Sequence, residues 1–333
     1  MPGPYIASKS KQRGSPMRTI TALFVGLGSI GTRHLKNLTN LCADRGWTLQ
    51  ADALRSDLSR PLRDGVAALL HAQYTDLADA PAHYDMVFIT NPTSLHADAL
   101  TRVRGHGGAL FIEKPIFSAE QTGLDLADCL PAGQKAYVAA PMRWCGVMLA
   151  LKDRLPGLHP YCARVICSSY LPDWRPGVDY RTVYSAHKAM GGGVTIDLIH
   201  EWDYLVELFG VPEKLYNFKG TYSDLEIDSD DLSVYIARYP TLLAEVHLDY
   251  FGRGYRRSIE LFCHDGSYLA DFGAGTLTLP DGTVQHYEED VNRRYEREME
   301  YFVDYALTGS GESCNPPALA LNVLKLTLGE NVQ

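Results

Sequence analysis

Residues 19–42 read TITALFVGLGSIGTRHLKNLTNLC. Thr19–Val25 is a short apolar run of the kind that fills the interior of a parallel sheet. It runs without a break into Gly26-Leu27-Gly28-Ser29-Ile30-Gly31, and then into a stretch where Leu35, Leu38 and Leu41 recur at helical spacing. Strand, glycine turn and helix in that order point to a dinucleotide-binding unit. The glycines permit a tight turn, close passage of a pyrophosphate and close helix–strand packing, and the helix N-terminus offers N–H groups to the phosphates. Gly26, Gly28, Ser29, Ile30 and Gly31 are the expected cofactor contacts. The same letters also occur as a plain turn in unrelated α/β domains, so the segments that follow carry the decision.

Thr48–Leu54 reads as a second strand, ending Leu54-Arg55-Ser56-Asp57. A fold that prefers NAD usually ends this strand with an acid for the ribose 2′-hydroxyl. Asp52 falls too early in the alternation unless the register slips. Arg55 and Ser56 suit a 2′-phosphate, which favours NADP over NAD, although Arg55 also reads as a solvated loop residue. Asp85–Thr90 is another buried strand, ending in Asn91-Pro92-Thr93-Ser94-Leu95-His96, where Pro92 stops the strand and a helix runs from about Leu95 to Arg104. Ligands of open α/β sheets sit at the carboxyl ends of the strands. Asn91, Pro92, His96 and, after strand Ala109–Ile112, Glu113 complete the cofactor candidates. Pro115 fixes the next turn and holds Lys114 at the same edge. A helix at Ser118–Cys129 and a strand at Lys135–Ala139 follow, then Pro141-Met142-Arg143-Trp144. This alternation predicts a Rossmann-type doubly wound parallel sheet over 19–142.

The second half predicts an α+β domain, 143–333, with a mostly antiparallel open sheet. Arg164–Tyr170 is a strand, and Leu171–Ala189 is a long aperiodic loop of a length that is often functional. Tyr180, Arg181 and His187 suit sugar hydroxyls or an anionic substituent, and Trp174 offers an apolar face. An ordered loop without ligand contact is the alternative. The loop leads into Gly191–Leu208, GGGVTIDLIHEWDYLVEL. Three glycines leave space for another group, and Val194, Leu198, Trp202 and Leu205 then give the core stripe of one helix. Asp197 and His200, three apart, share a face of it. Such a pair can move a proton, or it can be a buried histidine satisfied by a local carboxylate. Strands are expected at Lys214–Thr221, Leu232–Tyr239, Leu242–Tyr250, Ser258–His264 and Tyr268–Phe272, with closing helices at Val291–Leu307 and Pro317–Leu328.

The totals set outer limits. A chain of 333 residues exceeds one simple core and suggests two domains. A net charge of −9 without a long basic run in the folded part argues against a nucleic-acid surface. No apolar stretch approaches the roughly 20 residues needed to span a bilayer. The seven cysteines form no CxxC pair, so neither a zinc site nor a disulfide framework is expected, and a reducing, cytoplasmic setting fits. Residues 1–18, rich in Pro, Gly, Ser and basic residues, read as a disordered extension.

GLGSIG, NPTSLH, EKP and GGGVTIDLIHEWD, in this order and spacing, resemble the glucose–fructose oxidoreductase / inositol dehydrogenase (Gfo/Idh/MocA) family from about Thr19 onward. The resemblance implies an NAD(P)-dependent oxidoreductase acting on a sugar, cyclitol or related polyol, and a homo-oligomer formed through the C-terminal sheet. It implies Lys114, Asp197 and His200 as the catalytic set. Lys114, Arg143, Trp174, Tyr180, Arg181, His187, Asp197 and His200 are then the substrate-binding candidates. His200 is expected to transfer the proton, with Asp197 orienting it or meeting a substrate hydroxyl. The chain departs from the commonest pattern, which spaces Asp and His four apart. A non-catalytic dinucleotide-binding sensor or scaffold of the same fold is the alternative function.

Overall fold

The computed structural model describes residues 18–332, so the extension expected over 1–18 lies outside the described residues except for Arg18. These residues fall into two units that are not contiguous in sequence. The first holds the chain up to Glu113, Asp125–Ala139 and Tyr295–Pro316; the second holds Lys114–Leu124, Ala140–Arg294 and the chain from Pro317. Against a single boundary at 142, Tyr295–Pro316 joins the first unit and Lys114–Leu124 groups with the second.

In the first unit, strands β1 (Thr19–Val25), β2 (Thr48–Leu54), β3 (Ala72–Tyr74), β4 (Tyr84–Ile89), β5 (Gly107–Ile112) and β6 (Lys135–Val138) form one sheet in the order β3-β2-β1-β4-β5-β6. Every neighbouring pair is parallel. The order reverses between β1 and β4, which is where a doubly wound sheet opens a crevice at its carboxyl end. Helices α1 (Ser29–Asp44), α2 (His96–Arg102) and α3 (Leu126–Cys129) connect the strands. The helix expected over Ser118–Cys129 is reduced to a 3-10 turn at Ala119–Gln121 and to α3, which Asp125 caps by accepting the Ala127 N–H at 2.9 Å.

The core of this unit recruits helix α7 (Asn292–Thr308), whose Met299, Phe302 and Val303 pack among Phe24, Phe88 and Phe111. Phe302 stands edge-on to Phe88 at 5.4 Å and to Phe111 at 5.1 Å. Such aromatic pairs are worth about 0.5–1.5 kcal/mol each beyond their buried area. The segment after α7 then ties to β6: the Val138 N–H donates to Asn315 O at 3.0 Å, and Ser313 Oγ donates to Ala136 O at 2.7 Å. Tyr137 Oη donates to buried Glu298 at 2.8 Å.

The second unit is built on an eight-stranded sheet: β7 (Cys162–Tyr170), β8 (Lys214–Gly220), β9 (Leu232–Arg238), β10 (Leu243–Asp249), β11 (Phe251–Cys263), β12 (Gly266–Asp271), β13 (Thr276–Thr278) and β14 (Val284–His286). Its order is β14-β13-β12-β11-β7-β10-β9-β8, and only β7 and β10 run parallel. Strands β3, β13 and β14 were not expected, because three residues are too few for alternation to register. Helices α4 (Gly146–Arg154), α5 (Val194–Asp197), α6 (His200–Phe209) and α8 (Pro317–Thr327) complete the unit. Alternation assigns the two sheet faces. One is buried beneath α6 and α8, where Trp202 stands edge-on to Tyr235 at 5.2 Å and Tyr235 Oη donates to Thr327 O at 2.6 Å. The other face leaves Tyr216, Phe218, Ile236 and Leu243 exposed.

The single helix expected over Val194–Leu208 is two. Leu198, at φ −99° and ψ 32°, leaves the helical region after one turn, and the helix resumes at His200. Among the described residues no helix is long and apolar enough to cross a membrane.

Candidate active site

The glycine turn of the first unit assigns a separate task to each glycine. Gly26 sits at φ +89°, and a Cβ there would lie 2.8 Å from Asn91 Cα, so both the conformation and the neighbour exclude a side chain. A Cβ on Gly31 would lie 2.6 Å from both Gly26 O and Thr90 Oγ1, which makes it the close-packing glycine between α1 and the sheet. Thr90 Oγ1 also donates to Gly26 O at 2.6 Å and holds the turn in shape. Gly28 differs: a Cβ there meets nothing within 4 Å. It is the N-cap of α1, which no side chain caps and whose first turn carries no acid. Ser29 is exposed and Ile30 half-buried beside it.

An open glycine at an uncapped helix N-terminus is the local form that a pyrophosphate requires. Asn91 strengthens the fit. Among the described residues its Oδ1 is buried without a hydrogen-bond partner while its Nδ2 donates to Leu95 O at 3.3 Å, which leaves an acceptor for a ligand's donor at the end of β4. Pro92 follows it, exposed. These residues fit a nicotinamide dinucleotide.

Other cofactor candidates serve the fold. His96 is fully buried, with Nε2 3.1 Å from Asn91 O, so it props the Asn91 turn from behind. Glu113 is buried against His34, with Oε1 2.6 Å from His34 Nε2. His34 lies 79 residues away on α1, and its role had no signal in the sequence. At the end of β2, Asp52 points into the core, where Tyr84 Oη donates to it at 2.8 Å and His71 Nδ1 lies at 3.1 Å. No register slip brings it out. Arg55 donates to Gln73 Oε1 at 2.8 Å and to Arg60 O, and Ser56 is exposed beside it.

In the second unit the break between α5 and α6 separates the two residues expected to share a face. Asp197 ends α5, and its carboxylate turns to three hydroxyls: Tyr184 donates to Oδ1 at 2.8 Å, while Ser185 and Tyr250 donate to Oδ2 at 2.6 Å each. It makes no hydrogen bond to His200, and the His200 ring makes none among the described residues. His200 opens α6 partly buried. Burial holds its pKa well below the ordinary histidine value, and the positive charges of Lys114, Arg257 and Arg294 push it further down. Both effects favour the neutral imidazole, the form that carries a lone pair for a proton. Lys114, also partly buried, lies near enough to act on both His200 and Asp203.

The glycines before α5 leave less room than the letters suggest. Gly191 is open, but a Cβ on Gly192 would lie 2.0 Å from Tyr184 O, and one on Gly193 would lie 2.4 Å from Asp230 Oδ1. Asp230 occupies the N-terminus of α5, accepting the Thr195 N–H at 2.9 Å.

Arg143 is a correction of another kind. Expected on the substrate, it is 3% exposed. Its Nε and Nη2 donate to Asp203 at 2.9 and 2.7 Å, and Nη1 donates to Glu207 at 2.6 Å. Asp203 and Glu207, four apart on α6, grip one guanidinium, and Lys152 reaches Glu207 as well. This is a buried lock on the helix that carries His200.

The loop candidates are ordered by short 3-10 turns at Leu171–Asp173, Tyr180–Thr182, Tyr184–Ala186 and Lys188–Met190. Trp174 Nε1 donates to Ser169 Oγ at 3.1 Å, and its ring stands edge-on to Tyr250 at 5.2 Å. Tyr180 Oη accepts the Glu226 N–H at 3.2 Å. Arg181 is held by Asp179 and Glu226, at 2.9 and 2.7 Å. His187 Nδ1 lies 4.0 Å from Asp228. Tyr184, Ser185 and Tyr250, the partners of Asp197, were missed by sequence reasoning.

Residues 20–138 match the family model for GFO_IDH_MocA, the oxidoreductase family with the NAD-binding Rossmann fold. No curated protein matches the chain. Among solved structures, levoglucosan dehydrogenase in complex with NADH and levoglucosan superposes with a TM-score of 0.78 at 14% identity, over 94% of this chain and 96% of that one. The WlbA dehydrogenase from Bordetella pertussis, in complex with NADH and UDP-GlcNAcA, gives 0.73 at 19%, over 94% and 95%. Myo-inositol 2-dehydrogenase from Lactobacillus plantarum gives 0.72 at 18%, over 93% and 96%. At these identities the likeness is one of fold, and it spans both units.

Proposed function

We propose that this chain, an NAD(P)-dependent oxidoreductase of the Gfo/Idh/MocA type by its residues 20–138, transfers hydride to or from a carbinol carbon of a sugar, cyclitol or sugar derivative. A nicotinamide dinucleotide supplies the hydride acceptor or donor when bound. The observation that carries the reading is the open, uncapped glycine turn Gly26–Gly31 at the N-terminus of α1, inside the matched residues 20–138. In oxidation, His200 accepts the proton of the substrate hydroxyl, and in reduction it returns it. The Lys114 ammonium stabilises the developing alkoxide. Gly26, Gly28, Gly31 and Asn91 hold the dinucleotide. The absence of an acid at the tip of β2, with Arg55 and Ser56 there instead, supports NADP at least as well as NAD.

Levoglucosan and UDP-GlcNAcA, bound in two of the structural relatives, and myo-inositol, in the name of the third, support the substrate class, since all offer ring carbinols. The open face of the eight-stranded sheet, with Tyr216, Phe218 and Ile236 exposed, supports pairing with a second copy. Light scattering that finds only the 36.9 kDa monomer at assay concentration overturns that pairing.

The test is turnover of myo-inositol, D-glucose, levoglucosan and UDP-N-acetylglucosamine with NAD and NADP in parallel. Lys114→Met should lower kcat by a factor of about 10²–10⁴, with cofactor Kd within about threefold. Near-normal turnover in that variant removes Lys114 from the site. Cofactor binding by the wild type without turnover of any of these compounds favours a sensor or scaffold instead.

A further inference from the structure

We propose that Tyr184 is a specificity residue that accepts a hydrogen bond from a substrate hydroxyl, and that Asp197 is the positioning residue that holds it to that task. This deepens the dehydrogenase reading and rests on it. The Asp197 carboxylate collects three hydroxyl donors, Ser185 and Tyr250 at 2.6 Å, in the short range of charge-assisted bonds, and Tyr184 at 2.8 Å. Ser185 and Tyr250 are buried, so their oxygens are closed to a ligand. Tyr184 is 40% exposed and reaches Asp197 from the surface. Burial and the Asp197 charge raise the Tyr184 pKa, so the phenol keeps its proton and gives it to Asp197.

A phenol whose proton is committed offers a ligand only lone pairs. It therefore selects a partner that can donate, such as a hydroxyl, over a ketone, an ether or a bare methylene. The orientation is fixed from three sides. The backbone of Tyr184 packs on Gly192, Asp197 holds the oxygen, and the Arg175 guanidinium lies 5.9 Å from the ring centroid. Asp197 and His200 are three residues apart, so their Cα atoms lie within about 10 Å of each other. With His200 taking the proton of the reacting carbinol, Tyr184 is assigned, through its bond to Asp197, to a second hydroxyl on the same ring. The substrate class is then a polyol with a free hydroxyl besides the one oxidised. Asp197 acts in this through Tyr184, without moving a proton itself.

The experiment compares wild type, Tyr184→Phe and Asp197→Asn on myo-inositol and D-glucose, each with its monodeoxy analogues. Tyr184→Phe removes one oxygen and keeps the ring, so unchanged cofactor Kd and an unchanged melting temperature, within a few degrees, report an intact fold. KM for the parent polyol should rise about tenfold, the value of one hydrogen bond, with kcat within about threefold. KM for the analogue lacking the hydroxyl that Tyr184 reads should be the same in wild type and variant. Asp197→Asn, at a residue the resemblance places in the catalytic set, should raise KM with the same selectivity among analogues, whatever it does to kcat, and should keep the ionisation seen in the pH profile of kcat/KM. Equal KM increases for the parent and every analogue, a kcat loss at constant KM, or an ionisation lost in Asp197→Asn overturns the assignment. If the wild type turns over but Tyr184→Phe is indistinguishable from it, this inference fails and the dehydrogenase reading stands. If the wild type turns over levoglucosan or UDP-N-acetylglucosamine but neither polyol nor any analogue, this inference fails and the dehydrogenase reading stands; if it turns over none of these compounds, both fall.

Discussion

The chain contains two glycine-rich turns that lead into helices, Gly26–Gly31 in the first unit and Gly191–Gly193 in the second. They look alike as letters and are used in opposite ways. In the first, the middle glycine is open, the helix behind it is 16 residues long, and no side chain caps its N-terminus. In the second, two of the three glycines are filled by the protein's own Tyr184 carbonyl and Asp230 carboxylate, and the helix is four residues long. A glycine marks a place where something approaches the backbone closely. It does not say whether that something is a ligand or another part of the chain.

The comparison breaks most decisively at Gly192. A Cβ added there would have to displace three backbone atoms of residues 184 and 185, which cannot rotate aside. Gly192→Ala should therefore cost about 3 kcal/mol or more, the upper end of overpacking penalties. Denaturant unfolding measures this, and a loss under about 1 kcal/mol would mean that the second turn is looser than its contacts indicate. Gly28→Ala is the matched experiment on the first turn. Its stability should stay within about 1 kcal/mol, the scale of an N-cap change. The dinucleotide Kd should rise at least about tenfold, or about 1.4 kcal/mol. Equal cofactor affinity in this variant would remove the ligand-facing role from Gly28.

The smallest effect concerns what the second turn delivers, the ionisation of His200. Its native pKa lies below the unfolded value of about 6.5. Between those two values the unfolded chain binds a proton that the native protein does not. Stability should thus fall as pH drops through 6.5 toward the native pKa, and kcat/KM for alcohol oxidation should hold below pH 6.5. NMR titration of the His200 ring reads the value directly. Lys114→Met should raise it, because one of the charges that depress it is gone. A titration at or above 6.5 in the wild type would contradict the neutral imidazole.

Much of the first unit could be read from the chain. β1 and β2 fall at Thr19–Val25 and Thr48–Leu54 as expected, because interior parallel strands are continuous apolar runs bounded by glycines. Lys114 and His200 come from the EKP and GGGVTIDLIHEWD stretches that carry the family resemblance, and the Lys114→Met and His200 experiments are what test them. What could not be read was long-range pairing. Tyr250 meets Asp197 across 53 residues, and Arg143 meets Asp203 across 60. Neither pair leaves a periodic trace. The one-residue difference in the Asp–His spacing was visible, but its consequence was not. Only the backbone at Leu198 shows that the helix breaks and that Asp197 turns toward hydroxyls.

The return of α7 to the first unit governs the order in which this protein can be completed during synthesis. Domains ordinarily fold as they leave the ribosome, N-terminal first. Here the aromatic faces of Phe88 and Phe111 wait for Phe302, and the free edge of β6 waits for Asn315, while the whole second sheet is made in between. A nascent first unit therefore keeps those rings uncovered until Phe302 has been made, the kind of apolar surface that holding chaperones bind. A fragment cut at residue 142 is stranded in that state.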